Sequence, residues 1–160
     1  MTGEVAGTGR ALDDLLARAE IMELGAKYCS GVDRQDVALF LSIWHPDGEY
    51  LIGRRAGRFR GTAELATAVD FVRSAYASTH HWTTNHIIER HDADHASARS
   101  DSFALCVDVH GAPSLVSASY DDRCERIDGS WKLRRRVVRR WLISDPLDVR
   151  TVVPAPIDAS

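Results

Sequence analysis

The sequence predicts an α+β domain in which helices pack in a strongly curved, mixed or antiparallel sheet, a cone-shaped α+β barrel of order ααβαββββ. Three observations carry this expectation. The first half holds three helix-period segments and one short strand. The second half holds four consecutive strand-period segments. The turns between those four, "HDAD", "HGAP" and "IDGS", are short and rich in Asp, Gly and Pro. Helices followed by hairpin-linked strands is the order of an α+β chain. A long antiparallel sheet twists, and when it curls over helices it leaves an apolar mouth.

The elements are justified in turn. Residues 12–32 read as a helix with no internal proline. Ile21, Leu24, Tyr28 and Val32 recur at helical spacing as one apolar stripe; Leu15, Ala19, Met22, Ala26 and Cys29 form a second. A helix apolar on two faces is expected to be covered on most sides. Asp33 follows at the start of a short link, and Asp36 is placed to cap a second helix over 37–44. The "HPDG" run at 45–48 reads as a turn, because proline presets φ and Asp-Gly tolerates tight geometry. A strand at 49–52 and an Arg/Gly-rich hairpin to Arg60 come next. Thr62 is placed to cap a third helix running to about Ala77, with Leu65, Val69, Val72 and Tyr76 on its inner face. Strands are expected over 79–90, 95–109, 114–126 and 131–142. Together these make a single domain over 12–145. Residues 1–11, small and polar, are expected to be a flexible arm. Residues 146–160, with two closely spaced prolines, are expected to be an irregular tail.

Composition narrows the function. With 44% hydrophobic and 27% charged residues, the 160-residue chain is an ordinary globular protein, large enough to enclose a core and a ligand cavity. A net charge of −3 argues against nucleic acid or an anionic membrane as partner, since both call for a basic face. The three cysteines make no metal-ligand spacing, and their odd number argues against a disulfide framework. Reduced thiols, a cytoplasmic location and neither metal nor cofactor are the expectation. The first ten residues lack the charged-then-apolar pattern of a signal peptide, and no apolar run is long enough to span a bilayer.

The run "THHWTTN", 79–85, carries the chemistry. Its residue types favour a strand, and neighbours on a strand face opposite ways, so at most one of His80 and His81 looks into a pocket. About fifty residues earlier stands "GVDRQD". These two motifs, with "KYCSGVDRQD", "FLSIWHPDGEY" and the closing "DGSWKLRRRVV", resemble the SnoaL-like branch of the nuclear transport factor 2 superfamily. Within that branch the likeness is greatest to hexachlorocyclohexane dehydrochlorinases, and more distant to bile-acid 7α-dehydratases and scytalone dehydratases. It spans roughly residues 12–145.

The resemblance implies a catalytic histidine at the start of the strand after the third helix, and an aspartate in the link after the first. The matching positions are His81, within His-aromatic-x-Thr-Asn, and Asp33. Abstracting a proton from carbon needs a base with a pKa near neutrality, and imidazole supplies it. A carboxylate on the other ring nitrogen fixes the tautomer and stabilises the imidazolium that forms. Tyr28 matches the tyrosine of the dehydratases, five residues before the aspartate. A guanidinium from "RRRVVRR" would support the departing anion or a developing enolate. Strand alternation puts Arg134, Arg136 and Arg140 on one face, unless a one-residue bulge exchanges the faces. The dehydrochlorinase arginine falls nearest Arg136, the bile-acid dehydratase arginine nearer Arg140.

The implied activity is a cofactor-independent lyase, a dehydratase or dehydrohalogenase. It performs β-elimination on a small, apolar, cyclic substrate with His81, Asp33, Tyr28 and Arg136 as catalytic residues. Leu24, Val32, Phe40, Trp44, Val72, Trp82 and Phe103 are expected to wall the pocket, with Arg140 also binding substrate. A homo-oligomer is expected, a trimer before a dimer, which the resemblance also implies. Structural roles compete with each assignment. Asp33 can cap a turn, Tyr28 can be a core tyrosine, the arginines can form a solvated face, and Asp101 can pair with an arginine rather than serve the site. Other chemistries use the same shape. A non-catalytic small-molecule-binding module, or one like the small subunit of a dioxygenase, needs no His–Asp pair. An isomerase of ketosteroid type needs a carboxylate on the strand that here reads "GEYLIG". An epoxide hydrolase needs an Asp–Arg–Asp set whose spacing is not matched.

Overall fold

The computed structural model describes residues 2–53 and 57–148. Helices α1 (Thr2–Asp33) and α2 (Val37–Ser42) precede strands β1 (Trp44–Ile52) and β2 (Gly57–Arg60). Helix α3 (Gly61–Ala75) leads into β3 (Tyr76–Arg90), β4 (His95–Asp108), β5 (Pro113–Ile127) and β6 (Ser130–Ile143). The six strands form one mixed sheet of order β2-β1-β6-β5-β4-β3, with β1 and β6 parallel and every other pair antiparallel. The sheet is open, with β2 and β3 as its edges, so the expected barrel does not close. Helix α1 packs on both β3 and β6, which lie three strand spacings apart, about 14 Å in a flat sheet. The sheet curls round the helix to meet it twice.

Helix α1 buries the first of its two stripes: Ile21, Leu24, Tyr28 and Val32 join Phe40, Ile43, Trp44, Leu65, Val69, Trp131 and Leu133 in the core. The second stripe does not follow. Leu15 and Met22 are exposed, and only Cys29 of that set is buried, because the sheet covers one side of the helix. The helix also begins at Thr2, well before the expected residue 12; no proline interrupts its propagation there. Of the expected C-terminal tail, residues 149–160 lie outside the described residues, as do 54–56 at the tip of the β1–β2 hairpin.

The end of α1 is closed by backbone geometry. Gln35 takes a left-handed φ of 57°, the Asp36 N–H bonds the Gly31 carbonyl at 2.8 Å, and the Gln35 N–H bonds the Val32 carbonyl at 3.2 Å, a Schellman motif. Asp33 is therefore the last helical residue and not part of a link. Asp36 caps α2 as expected, its Oδ1 accepting the Leu39 N–H at 2.9 Å. No side chain caps α3 in the way expected of Thr62; instead Glu64 accepts the Arg60 N–H at 2.8 Å.

At Gly31 a Cβ would lie 2.9 Å from the Phe40 backbone nitrogen. Gly31→Ala is expected to push α2 off α1 and cost about 1–3 kcal/mol, the usual cost of overpacking. Urea unfolding measures it, and an unchanged midpoint contradicts the close approach.

Bulges decide which way several side chains face. Trp44 pairs with Leu133 and Glu49 with Arg135, so the four residues of "HPDG" stand opposite Arg134 alone and loop out within β1. Asn85, at φ 55°, marks a second bulge between Thr84 and Ile87. A third places Cys124 opposite Leu133 and Arg123 opposite Arg135, leaving Arg134 unmatched. Leu133 and Arg136 are thus both buried although an even-odd count separates them, and Arg134 leaves the face it was expected to share with Arg136 and Arg140.

Candidate active site

Strand β3 is an edge, so backbone N–H groups on its outer side have no strand to bond. Asp33, at the end of α1, meets that edge. Its Oδ2 accepts the His81 backbone N–H at 2.9 Å, and its Oδ1 accepts the Thr79 hydroxyl at 2.9 Å. The same Oδ1 lies 2.5 Å from His81 Nδ1. A carboxylate at a helix C-terminus opposes the helix dipole, so these three donors are what hold it there. Burial pushes the Asp33 pKa up, but the bonds from the His81 ring and backbone and from Thr79 outweigh it and leave it below the usual 3.8. Asp33 stays ionised, so Nδ1 carries the shared proton and Nε2 presents its lone pair.

The depressed pKa has a stability consequence. Its contribution is fully present above the unfolded-state value of about 3.9 and is lost as pH falls through the lower folded value. Asp33→Asn is therefore expected to destabilise the protein near neutrality and to lose that disadvantage on acidification below about pH 4. Urea midpoints measured across that range decide it, and a difference independent of pH contradicts it.

His81 and Thr79 line a cavity of about 90 Å³. Tyr28 from α1 and Tyr50 from β1 stand on another part of the wall, with their hydroxyls hydrogen-bonded to each other. The Tyr28 and His81 rings are 6.2 Å apart, edge to face. Ser102, Ala104, Cys106, Val116 and Ala118 of β4 and β5 form the small-residue floor, and Ile52, Val72, Tyr76 and Val138 add apolar wall. Tyr120 and Arg140 complete it.

Burial pushes the Tyr28 pKa well up and that of Tyr50 to about 12, so both phenols keep their protons near neutrality. One of their two O–H hydrogens serves the mutual bond. The other has no acceptor among the described residues and is available to a cavity occupant. Burial also raises Cys106 to about 11, which keeps it a thiol and no rival nucleophile. Among the described residues, no group of three His, Cys, Asp or Glu side chains is arranged to hold a metal ion.

Arg136 lies elsewhere than expected. It is 1% exposed, is absent from the cavity wall, and is held by Asp122 through Nε at 2.8 Å and Nη2 at 2.6 Å. Its guanidinium sits between the Tyr28 and Tyr120 rings, 4.5 Å from each centroid. It lies against the Tyr28 ring, outside the cavity lining. Among the residues expected as walls, Val72 and Arg140 line the cavity. Leu24, Val32, Phe40 and Trp44 are buried between helices and sheet instead. Trp82 and Phe103 pair with each other on the opposite face of the sheet, 52% and 44% exposed, because an inward His81 turns its neighbour outward. His80 packs on Trp82 there, and Asp101 accepts a bond from Asn85. Tyr50 was not foreseen; its sharing a strand face with apolar Ile52 was the available signal.

The profile of the SnoaL-like domain family matches residues 13–137. The chain belongs to the SnoaL-like family. Hexachlorocyclohexane dehydrochlorinase 1 of Sphingobium indicum is 34% identical over 126 residues, 78% of this chain and 81% of the relative. A crystal structure of hexachlorocyclohexane dehydrochlorinase LinA type 2 superposes with a TM-score of 0.82 at 29% identity, covering 92% of this chain and 99% of that one. A scytalone dehydratase-like protein of Novosphingobium aromaticivorans superposes at 0.76 with 18% identity, over 94% and 99% of the two chains, a likeness of fold. The open mixed sheet with its three helices is thus the SnoaL-like architecture, and His81, bonded to Asp33, lies on its cavity wall.

Proposed function

We propose that this protein is a cofactor-independent lyase that eliminates water or hydrogen halide from a small, largely apolar, cyclic substrate. Its homology to hexachlorocyclohexane dehydrochlorinases supports a lyase or dehydrochlorinase-like role. The observation that carries the reading is the 2.5 Å contact between Asp33 and Nδ1 of His81, whose ring lies on the wall of an apolar cavity. His81 Nε2 takes the proton from carbon, Asp33 stabilises the imidazolium, and the electron pair of the broken C–H bond forms the new double bond. The departing group leaves toward Tyr28 and Tyr50, whose spare O–H stabilises its charge; halide departs as the anion, and hydroxide becomes water when the His81 imidazolium returns its proton. Neither phenol is acidic enough to be a strong acid here, so hydrogen bonding is their contribution.

Among the described residues no Asp or Glu lines the cavity, which disfavours an isomerase with a carboxylate base; Glu49 is engaged by Arg58 at 2.6 Å and Arg135 at 2.9 Å. The test is chloride release from hexachlorocyclohexane beside dehydration of cyclic β-hydroxy ketones. Turnover of either class that disappears in Asp33→Asn supports the dyad; turnover that survives in that variant rules it out. The exposed Trp82, Phe103, Trp141 and Leu142 offer an apolar face for a homo-oligomer, a trimer before a dimer. Light scattering that finds a monomer at micromolar concentration contradicts that assembly.

A further inference from the structure

Strand β6 carries five arginines, and four of them are engaged. Arg134 bonds the Asp47 carbonyl and lies 3.6 Å from Glu125, and Arg135 pairs with Glu49 at 2.9 Å. Arg136 pairs with Asp122 at 2.6 Å, and Arg139 with Asp121 at 2.7 Å. Arg140 differs on both counts. It makes no ion pair or hydrogen bond among the described residues, and of the five it alone lines the cavity. Its backbone stands opposite Ala118, and Ala118 stands opposite Ser102, so the side chains beside it on the floor are small and leave the guanidinium room to reach inward. Its charge acts on the wall at Cys106, where it favours the thiolate against burial and the Asp33 carboxylate, which together hold the thiol pKa up.

Among the described residues no Asp or Glu lines the cavity; the Asp33 carboxylate, whose charge also reaches Cys106, stands behind His81 and is engaged by His81 and Thr79, leaving Arg140 without a carboxylate partner of its own. Arg140 is itself exposed, so it stands where the cavity opens to solvent and keeps its hydration until an occupant arrives. The cavity, about 90 Å³, is open to solvent on one side, so a ring held in it can carry a polar group at the mouth.

We infer that the natural substrate bears a carboxylate, which binds Arg140 at the cavity mouth while its apolar ring lies over Ala104 and Ala118. The planar fork of a guanidinium matches a carboxylate with two parallel hydrogen bonds. Arg140 on β6 and His81 on β3 both line the cavity, so the ring lies between them, with Ala104 directly opposite His81 in the strand register. The placement of the reacting carbon rests on the elimination reading; the recognition of the anion does not.

Binding of cyclohexanecarboxylate and of its neutral isostere cyclohexanecarboxamide, each titrated calorimetrically, tests this. The parent protein is expected to bind the acid at least about tenfold more tightly than the amide, the usual effect of charge-assisted bonds. Arg140→Gln is expected to abolish that preference and Arg140→Lys to keep part of it. His81→Ala is expected to keep it, which separates anion recognition from the imidazole and from elimination. Equal binding of acid and amide, binding of neither, or a preference that survives in Arg140→Gln overturns the inference. A preference that is lost in His81→Ala while Arg140 is intact assigns the anion to the histidine and overturns it as well.

Discussion

Replacing His81 with alanine is expected to lower kcat by about 10²–10⁴-fold, the range for removing a positioned general base. The side chain is partly buried but stands on an edge strand, bonded through its ring to one group, so its loss leaves the sheet register intact. The circular dichroism spectrum and the cooperativity of unfolding should be unchanged. Asp33→Asn preserves the shape and tests a different step. An amide oxygen still accepts a bond from Nδ1–H, but the negative charge that stabilises the imidazolium is gone, so kcat falls while KM changes little. If His81→Ala retains activity within about tenfold of the parent, the base lies elsewhere and the elimination mechanism fails.

Asp122→Ala is expected to cost about 3–5 kcal/mol of stability, the largest effect of any single change considered. It leaves the Arg136 guanidinium in the core with both its carboxylate bonds removed and two tyrosine rings as its remaining neighbours. Burial alone opposes the charge on Arg136, and the adjacent Asp122 more than restores it, raising its pKa overall. The neutral pair Asp122→Leu with Arg136→Met should recover most of the loss, because two apolar groups carry no desolvation cost. Denaturant titration of the parent, the single variant and the double variant measures both effects. If Asp122→Ala unfolds at the parental midpoint, the pair contributes nothing and Tyr28 is held by other contacts. In the double variant Tyr28 loses its stacked cation, so activity should fall even where stability returns.

Much of the fold was legible along the chain. Strands at 79–90, 95–109, 114–126 and 131–142 match β3 to β6 within a few residues, since period-two patterning and Asp/Gly turns are local properties. The stripe Ile21, Leu24, Tyr28 and Val32 is the buried face of α1 for the same reason. The bringing together of Asp33 and His81 came from the resemblance to a family, not from spacing, and the two residues lie 48 positions apart. Three things were not legible. A bulge at Arg134 undoes simple alternation on β6, and bulges leave almost no sequence signature. Helix 12–32 showed two apolar stripes, and nothing local tells which one the sheet covers. Burial also looks alike in core and cavity, so Leu24, Phe40 and Trp44 could not be told from true wall residues.

By itself the sequence determined the element order, the faces that seek burial, and the residue types able to move a proton, because period, turn chemistry and side-chain pKa are set within a few residues. Only the tertiary structure decided that Arg136 is locked to Asp122 beneath the tyrosines, that Arg140 reaches the cavity, and that Tyr50 joins Tyr28. Those outcomes depend on strand register and sheet curvature, which arise from pairing between segments far apart in the chain.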